Sequence, residues 1–470
     1  MSTNLGGKLV EWVKTRFGLR TNVLRPVPEY SMNPLYWLGA LTTIAFGLQV
    51  FTGLLMMIYY VPTVEQAYSS TQFIIQNVPF GWLLETVHLY GAYAMILLAL
   101  LHLFRGYFLS VQKKPREMMW VTGMLMGLTV MGFGLTGYLL PWTVVSKSAT
   151  DVSIGMLSFL PGQVGSIVTF LVAGDGSSAG ELTRFFDLHI LVLPAALISL
   201  VALKLFLFEA HGAAEPVTGP KESRDIPWFP TVYLYFAMLG SLLIAAIVVA
   251  SALFPFNLAA QFTPAGAANY VPQPEWYFLW MYQILKFASF EGSGIYYALG
   301  VVTALVAGLV LLPFVDRGVA RNPKSRPLYT TVGAITVAEL LVLTVWGYLT
   351  PGQIIPDAQA VEVVGAAALV GAVMSAFLLR MPRGIQRFTS AIRSIPLALV
   401  LPLKNRGAAL AFVALLCVGS VCFANLVGFA SGAKAGSPLL LLDIAGLVTT
   451  FFAMVRIMRG MTLAYRRSQN

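Results

Sequence analysis

His88 and His102 stand fourteen residues apart inside one apolar run, about residues 82–108. At 100° per residue this interval falls within about 40° of four full turns, so a helix carries both imidazoles on one face. The helical rise separates them by about 21 Å along the axis. One metal ion takes histidines at i and i+4. An interval of fourteen cannot serve one ion, but it suits two flat cofactors held at different depths of a membrane.

The composition supplies the membrane. The 470 residues are 57% hydrophobic and 11% charged, with a mean hydropathy of +0.76. A soluble domain carries roughly 25% charge. Cys417 and Cys422, five apart in a late apolar run, read as buried structural residues rather than a disulfide framework. The net charge of +10 is not a nucleic-acid footprint, because the basic residues cluster in short segments between apolar runs. The N-terminus lacks the long apolar stretch of a cleavable signal peptide. Its Val10, Trp12, Val13 and Phe17 alternate with Lys8, Lys14, Arg16 and Arg20, the pattern of a short amphipathic helix on the membrane surface, assigned to residues 1–28.

Ten apolar runs are long enough to span: about 34–60, 82–108, 119–140, 185–208, 230–254, 292–315, 328–349, 361–380, 407–429 and 437–458. Alternate connections carry the positive charge. One side holds Lys8 to Arg25, Lys113, Lys114 and Arg116, Lys221 and Arg224, Arg317 to Arg326, Arg383 to Arg406, and Arg466 and Arg467. The other holds 61–81, 143–183, 255–290, 350–360 and 430–436, poor in Lys and Arg. The positive-inside rule then puts both termini in the cytoplasm. The long outer connections at 143–183 and 255–290 are expected to be functional or to contain short helices.

His189 lies in the fourth run, near its outer end. His88 is at the outer end of the second run, so the two imidazoles meet at one depth on facing helices. Such a pair is an axial set for haem iron, and polar residues inside a membrane are functional by default. Gly39 and Gly53 on the first run, and Gly123 and Gly137 on the third, repeat the fourteen-residue interval. They let a bulky ring approach the backbone, although helix packing alone also favours glycine.

Taken together, these residues resemble cytochrome b of the Rieske/cytochrome b (bc-type) quinol-oxidising complexes over about residues 20–290. The resemblance is carried by His88 with Gly91-Ala92, and by Leu101-His102 with Arg105-Gly106. Lys114-Pro115-Arg116-Glu117 follows, with Trp120 and Gly123. Then come Gly137-Tyr138-Leu139-Leu140-Pro141-Trp142, Thr183-Arg184-Phe185-Phe186 with His189 and Pro194, and Pro274-Glu275-Trp276-Tyr277. The fold so implied is all-α. An N-terminal four-helix di-haem bundle occupies 29–225, further helices with the outer quinol loop occupy 226–381, and the last two runs form an extension over 382–470.

The resemblance implies two b-type haems, the outer on His88 and His189, the inner on His102 and a second ligand 14 or 15 residues after His189. Those positions hold Leu203 and Lys204, and Pro194 matches the spacing of 15. Lys204 is therefore an amine ligand, or the inner haem lacks that ligand, or there is no inner haem; the bland reading is a lysine that snorkels to the surface. His211 is placed at the cytoplasmic edge and is not expected to ligate. Glu85 stands where the family usually has an arginine. Arg184 and Arg105 remain as propionate partners of the outer and inner haem, or as interfacial anchors. By the same resemblance Glu275 is expected to be the proton acceptor for quinol in the outer pocket. Tyr138, Pro141 and Trp142 are its opposite wall, and Tyr277 and Lys147 are further candidates. Glu339 is an isolated intramembrane acid.

The activity so implied is quinol oxidation at the outer side of an energy-transducing membrane. One electron passes to a Rieske iron–sulfur protein and onward to a cytochrome or oxidase. The other crosses through outer and inner haem to a quinone, in a homodimer within a larger complex. A di-haem membrane anchor of a dehydrogenase or hydrogenase would lack the Pro-Glu-Trp-Tyr site, and a secondary transporter would show inverted repeats.

Overall fold

A computed structural model describes residues 26–159, 163–174, 177–217 and 224–380. Within them the chain is an all-α membrane protein with eight helices long and apolar enough to cross a bilayer. The helices used below are α1 (Leu38–Met57), α2 (Ala67–Asn77), α3 (Gly81–Phe108), α4 (Glu117–Leu139), α5 (Val144–Ser158), α6 (Gln163–Ala173) and α7 (Ser178–His211). They continue with α8 (Tyr233–Leu253), α9 (Leu279–Leu285), α10 (Ile295–Val315), α11 (Pro327–Leu349) and α12 (Asp357–Arg380). The first eight expected spans correspond to α1, α3, α4, α7, α8, α10, α11 and α12. The expected surface helix, the ninth and tenth spans and both cysteines lie outside the described residues.

Large apolar side chains face outward along these helices, among them Phe51, Leu54, Phe206, Leu341 and Leu369. Lipid solvates that surface, so little hydrophobic force draws helix to helix, and close packing does the work instead. At Gly371 on α12 an added Cβ would lie 2.5 Å from the Cα of Ile335 on α11, so the two backbones touch where any side chain would separate them. α1 packs on α3, α3 on α4, α4 on α7, and α8 against both α1 and α3. α10 leans on α4, and α11 lies against α9 and α12.

The sorting of connections by charge is visible in their contacts. At one end of the helices, Arg116 donates to the carbonyls of His211 and Ala213 at 3.0 and 3.1 Å, closing the C-terminus of α7 with a cation. Arg321 donates to the Glu215 carbonyl at 3.0 Å. Asp316, which ends α10, is buried with Lys113 and Arg326, both ion-paired to it, and accepts from Gln112 at 3.2 Å. At the other end, Val144 donates to the Ala260 carbonyl, joining the two long outer connections, and the Tyr60 hydroxyl donates to the Leu140 carbonyl. The connection at 143–183 does contain helices of its own, α5 and α6. A capping box starts α5: Thr143 Oγ1 accepts from the Ser146 backbone and Ser146 Oγ from the Thr143 backbone.

Candidate functional site

His88 on α3 and His189 on α7 face each other with ring centroids 6.4 Å apart and planes at 63°. That separation leaves room for one metal between two ring nitrogens at about 2 Å from each. The nitrogens left for it follow from the neighbours. Thr52 Oγ1 on α1 lies 2.8 Å from His88 Nδ1, and Thr136 Oγ1 on α4 lies 3.1 Å from His189 Nδ1. Each hydroxyl donates its own proton to a helix carbonyl, Leu48 or Gly132, at 2.8 Å. Each must therefore accept from the imidazole, which fixes the proton on Nδ1 and leaves the Nε2 lone pair for a metal.

Each of the four expected glycines faces one of the four expected ligands. A Cβ added at Gly53 would lie 3.4 Å from His88, and one at Gly137 would lie 2.6 Å from His189. At Gly39 it would lie 3.3 Å from His102, and at Gly123 2.9 Å from Lys204 Nζ. The notches are therefore arranged at two levels between α1, α3, α4 and α7. The donor set, the ring separation and these notches fit two haems.

The lower level differs from the upper. His102 Nδ1 is buried without a hydrogen-bond partner among the described residues. Lys204 Nζ donates to the Met119 carbonyl of α4. The fifteen residues from His189 to Lys204 match the fourteen from His88 to His102 because α7 contains a π-helical turn at Leu188–Val192. Pro194, just beyond, has no N–H for the Ile190 carbonyl, and the wide turn absorbs one residue. Lys204 thus comes in phase with His189, and Leu203 is left 45% exposed.

The arginines expected near propionates are both held on aromatic rings. The Arg105 guanidinium lies 4.1 Å from the Tyr36 ring centroid, with its Nε buried and unpartnered. Arg184 lies 5.0 Å from that of Phe170. Glu85 and Glu339 each bury an Oε2 that has no partner among the described residues.

A small outer cleft brings together Tyr138, Glu275 and Tyr277, as expected, with Gly134, Ser153 of α5 and Phe278. Tyr277 donates to the Gly134 carbonyl at 3.2 Å. Glu275 Oε2 accepts a 2.6 Å hydrogen bond from the Tyr93 hydroxyl of α3, a partner not read from the sequence. Burial pushes the Glu275 carboxyl above the usual range; the Tyr93 hydroxyl and the Trp276 backbone N–H pull it back. Burial also raises the Tyr277 phenol.

Two expectations about this wall are corrected. Pro141 and Trp142 do not line the cleft. Trp142 turns into the core against Leu139, Leu182 and Phe185, its backbone at φ 51°. Ser153 and Ala149 of α5 take that place. Lys147 is not at the cleft either; it is buried in ion pairs with Asp151 and, at 3.1 Å, Glu181. Thr52, Thr136 and Tyr93 were missed, although Thr-Gly at 52–53, 122–123 and 136–137 is a repeated dipeptide that could have flagged the first two.

Comparison with known proteins bears on the whole arrangement. The family model for cytochrome b/b6/petB matches residues 23–212, and that for the C-terminal part of cytochrome b/b6/petD matches 269–364. The cytochrome bc complex cytochrome b subunit of Chlorobaculum thiosulfatiphilum is 35% identical over 346 residues, 71% of this chain and 79% of that one. The chain belongs to the cytochrome b family. Cytochrome b of Sulfolobus acidocaldarius is 32% identical over 397 residues, covering 76% of this cytochrome b and 69% of its relative. A chain of a hyperthermophilic respiratory Complex III superposes with a TM-score of 0.64 at 25% identity, over 79% of this chain and 98% of its own. In this cytochrome b all four notches and their facing side chains fall inside the first match, and Glu275 and Tyr277 inside the second. Residues beyond 364 lie outside both.

Proposed function

We propose that this cytochrome b is the haem-carrying membrane subunit of a quinol-oxidising complex. It would carry one haem on His88 and His189 and a second beginning at His102, with the glycines clearing space for the rings. When bound, the two haems supply one-electron acceptors at two depths, which is what electron passage across a membrane requires. The single observation that carries the reading is the facing imidazole pair at 6.4 Å with each Nδ1 engaged by a threonine.

The chain's own residues handle the substrate. Quinol going to quinone releases two electrons and two protons. Glu275, at the cleft and raised by burial, accepts one of these protons at its carboxylate, and the other leaves to water on the outer side. Tyr93 holds that carboxylate in position. Tyr138 and Tyr277 shape the cleft, and Gly134 leaves room for the Tyr277 ring, which an added Cβ would meet at 2.9 Å. One electron goes to a Rieske-type iron–sulfur partner, which passes it to a cytochrome or oxidase, and the second stays in this chain. Arg184 and Arg105 are the propionate partners of the outer and inner haem. The complex is a homodimer in an energy-transducing membrane, with both termini on the basic, cytoplasmic side. The spans number ten, with the last two as an extension.

The test is spectroscopic and kinetic. The purified complex should contain two b-type haems per chain and reduce them when given a short-chain quinol. A haem-free spectrum, or haem that quinol leaves oxidised, would end the proposal.

A further inference from the structure

His189 and Lys204, both on α7, occupy successive notches in α4, at Gly137 and Gly123. On the other wall, α3 presents His88 and His102 to Gly53 and Gly39 of α1. Three of the four notch occupants are imidazoles and the fourth is a primary amine.

Lys204 does not behave as an interfacial anchor. A snorkelling lysine lays its stem along the helix and puts its charged end in water. Here the side chain crosses to α4, its Nζ meets the Met119 carbonyl, and among the described residues no carboxylate pairs with it. An ammonium with one carbonyl for company in a lipid-embedded bundle is poorly compensated. A neutral amine in that place has a lone pair to give to a metal. The wide turn at Leu188–Val192 is what puts Lys204, and not Leu203, into the notch.

We infer that Lys204 is the second axial ligand of the inner haem, across from His102. The two haems then differ in ligation: imidazole and imidazole at the outer level, imidazole and amine at the inner. The inference rests on the di-haem reading proposed above. On ligation the Lys204 ammonium gives one proton to water and its lone pair forms the bond to iron. No electron is exchanged, and a remaining N–H can keep the Met119 carbonyl.

The purified complex tests this by haem count, EPR and near-infrared magnetic circular dichroism. The oxidised wild type should hold two low-spin haems per chain with different charge-transfer bands, one bis-imidazole and one imidazole–amine. Lys204→Ala should turn only the inner signal high-spin. Lys204→His should return it to low spin, with its band moved to the bis-imidazole position. The wild-type bands answer the question even if a variant does not assemble. Two bis-imidazole bands in the wild type, or two haems with unaltered spectra in Lys204→Ala, overturn the inference and leave the di-haem reading standing. Fewer than two haems in the wild type overturn both.

Discussion

The Tyr93 hydroxyl donates to Glu275 Oε2 at 2.6 Å and so ties the helix that carries His88 to the loop that lines the outer cleft. The proposed proton acceptor and a candidate haem ligand are therefore held by one helix, five residues apart in their attachment to it.

Glu275 accepts a proton only when ionised, so quinol oxidation should rise with pH through its raised pKa and fall below it. Tyr93→Phe removes a donor that favours the carboxylate. A hydrogen bond to a charged group contributes about 1.5–3 kcal/mol, so the rise should move to higher pH by about 1–2 units. Glu275→Gln should remove that limb of the profile and slow turnover by about 10²–10⁴-fold with both haems retained. Steady-state rates across pH check both, and a profile identical to wild type in either variant refutes the assignment.

The notches rank two substitutions. Gly137→Ala drives a methyl to within 2.6 Å of the His189 ring, whereas Gly53→Ala meets His88 at an ordinary 3.4 Å. Haem absorbance of the purified variants should show Gly137→Ala depleted at the outer site and Gly53→Ala closer to wild type. The reverse order would contradict the packing described.

Thr52→Val and Thr136→Val each remove an acceptor for an imidazole Nδ1–H. The expected loss is about 10–100-fold in haem affinity at the outer site. The outer midpoint potential should also rise, because the ring becomes a weaker donor. Redox titration of both haems, with the inner one as internal control, would show no change if these hydroxyls merely cap helix carbonyls.

Asp316 is buried between Lys113 and Arg326. Asp316→Asn leaves two cations without their counter-charge and should destabilise the protein by about 3–5 kcal/mol. Thermal unfolding in detergent measures it; a shift within the range of an ordinary surface substitution, about 0.5 kcal/mol, would deny the cluster its role.

Much of this was legible because membrane chemistry is sparse. Few charges and few histidines leave few partners to choose from, so His88 and His189 could be paired by depth alone, with His102 set at a second level. The glycines at 39, 53, 123 and 137 gave the same interval independently. Tyr93 was not legible: a hydroxyl on a span has no counterpart to mark it until the loop at 275 folds back onto α3. Nor could repeat counting show which way Trp142 turns, since a left-handed backbone at its position reverses the face that a helix would present. Lys147 has one partner in plain sight, Asp151 at i+4, but the second, Glu181, lies 34 residues on, across α6, and with it the lysine is drawn into a buried cluster.

The π-helical turn beside His189 makes the two histidine-bearing helices unequal under insertion and deletion. Dropping one residue between His88 and His102 would swing everything below by about 100° and send the lower imidazole toward lipid. Dropping one between Ile190 and Leu193 could be taken up by tightening that turn, with Lys204 still aimed inward. One helix must keep its length to the residue, while its neighbour holds a spare.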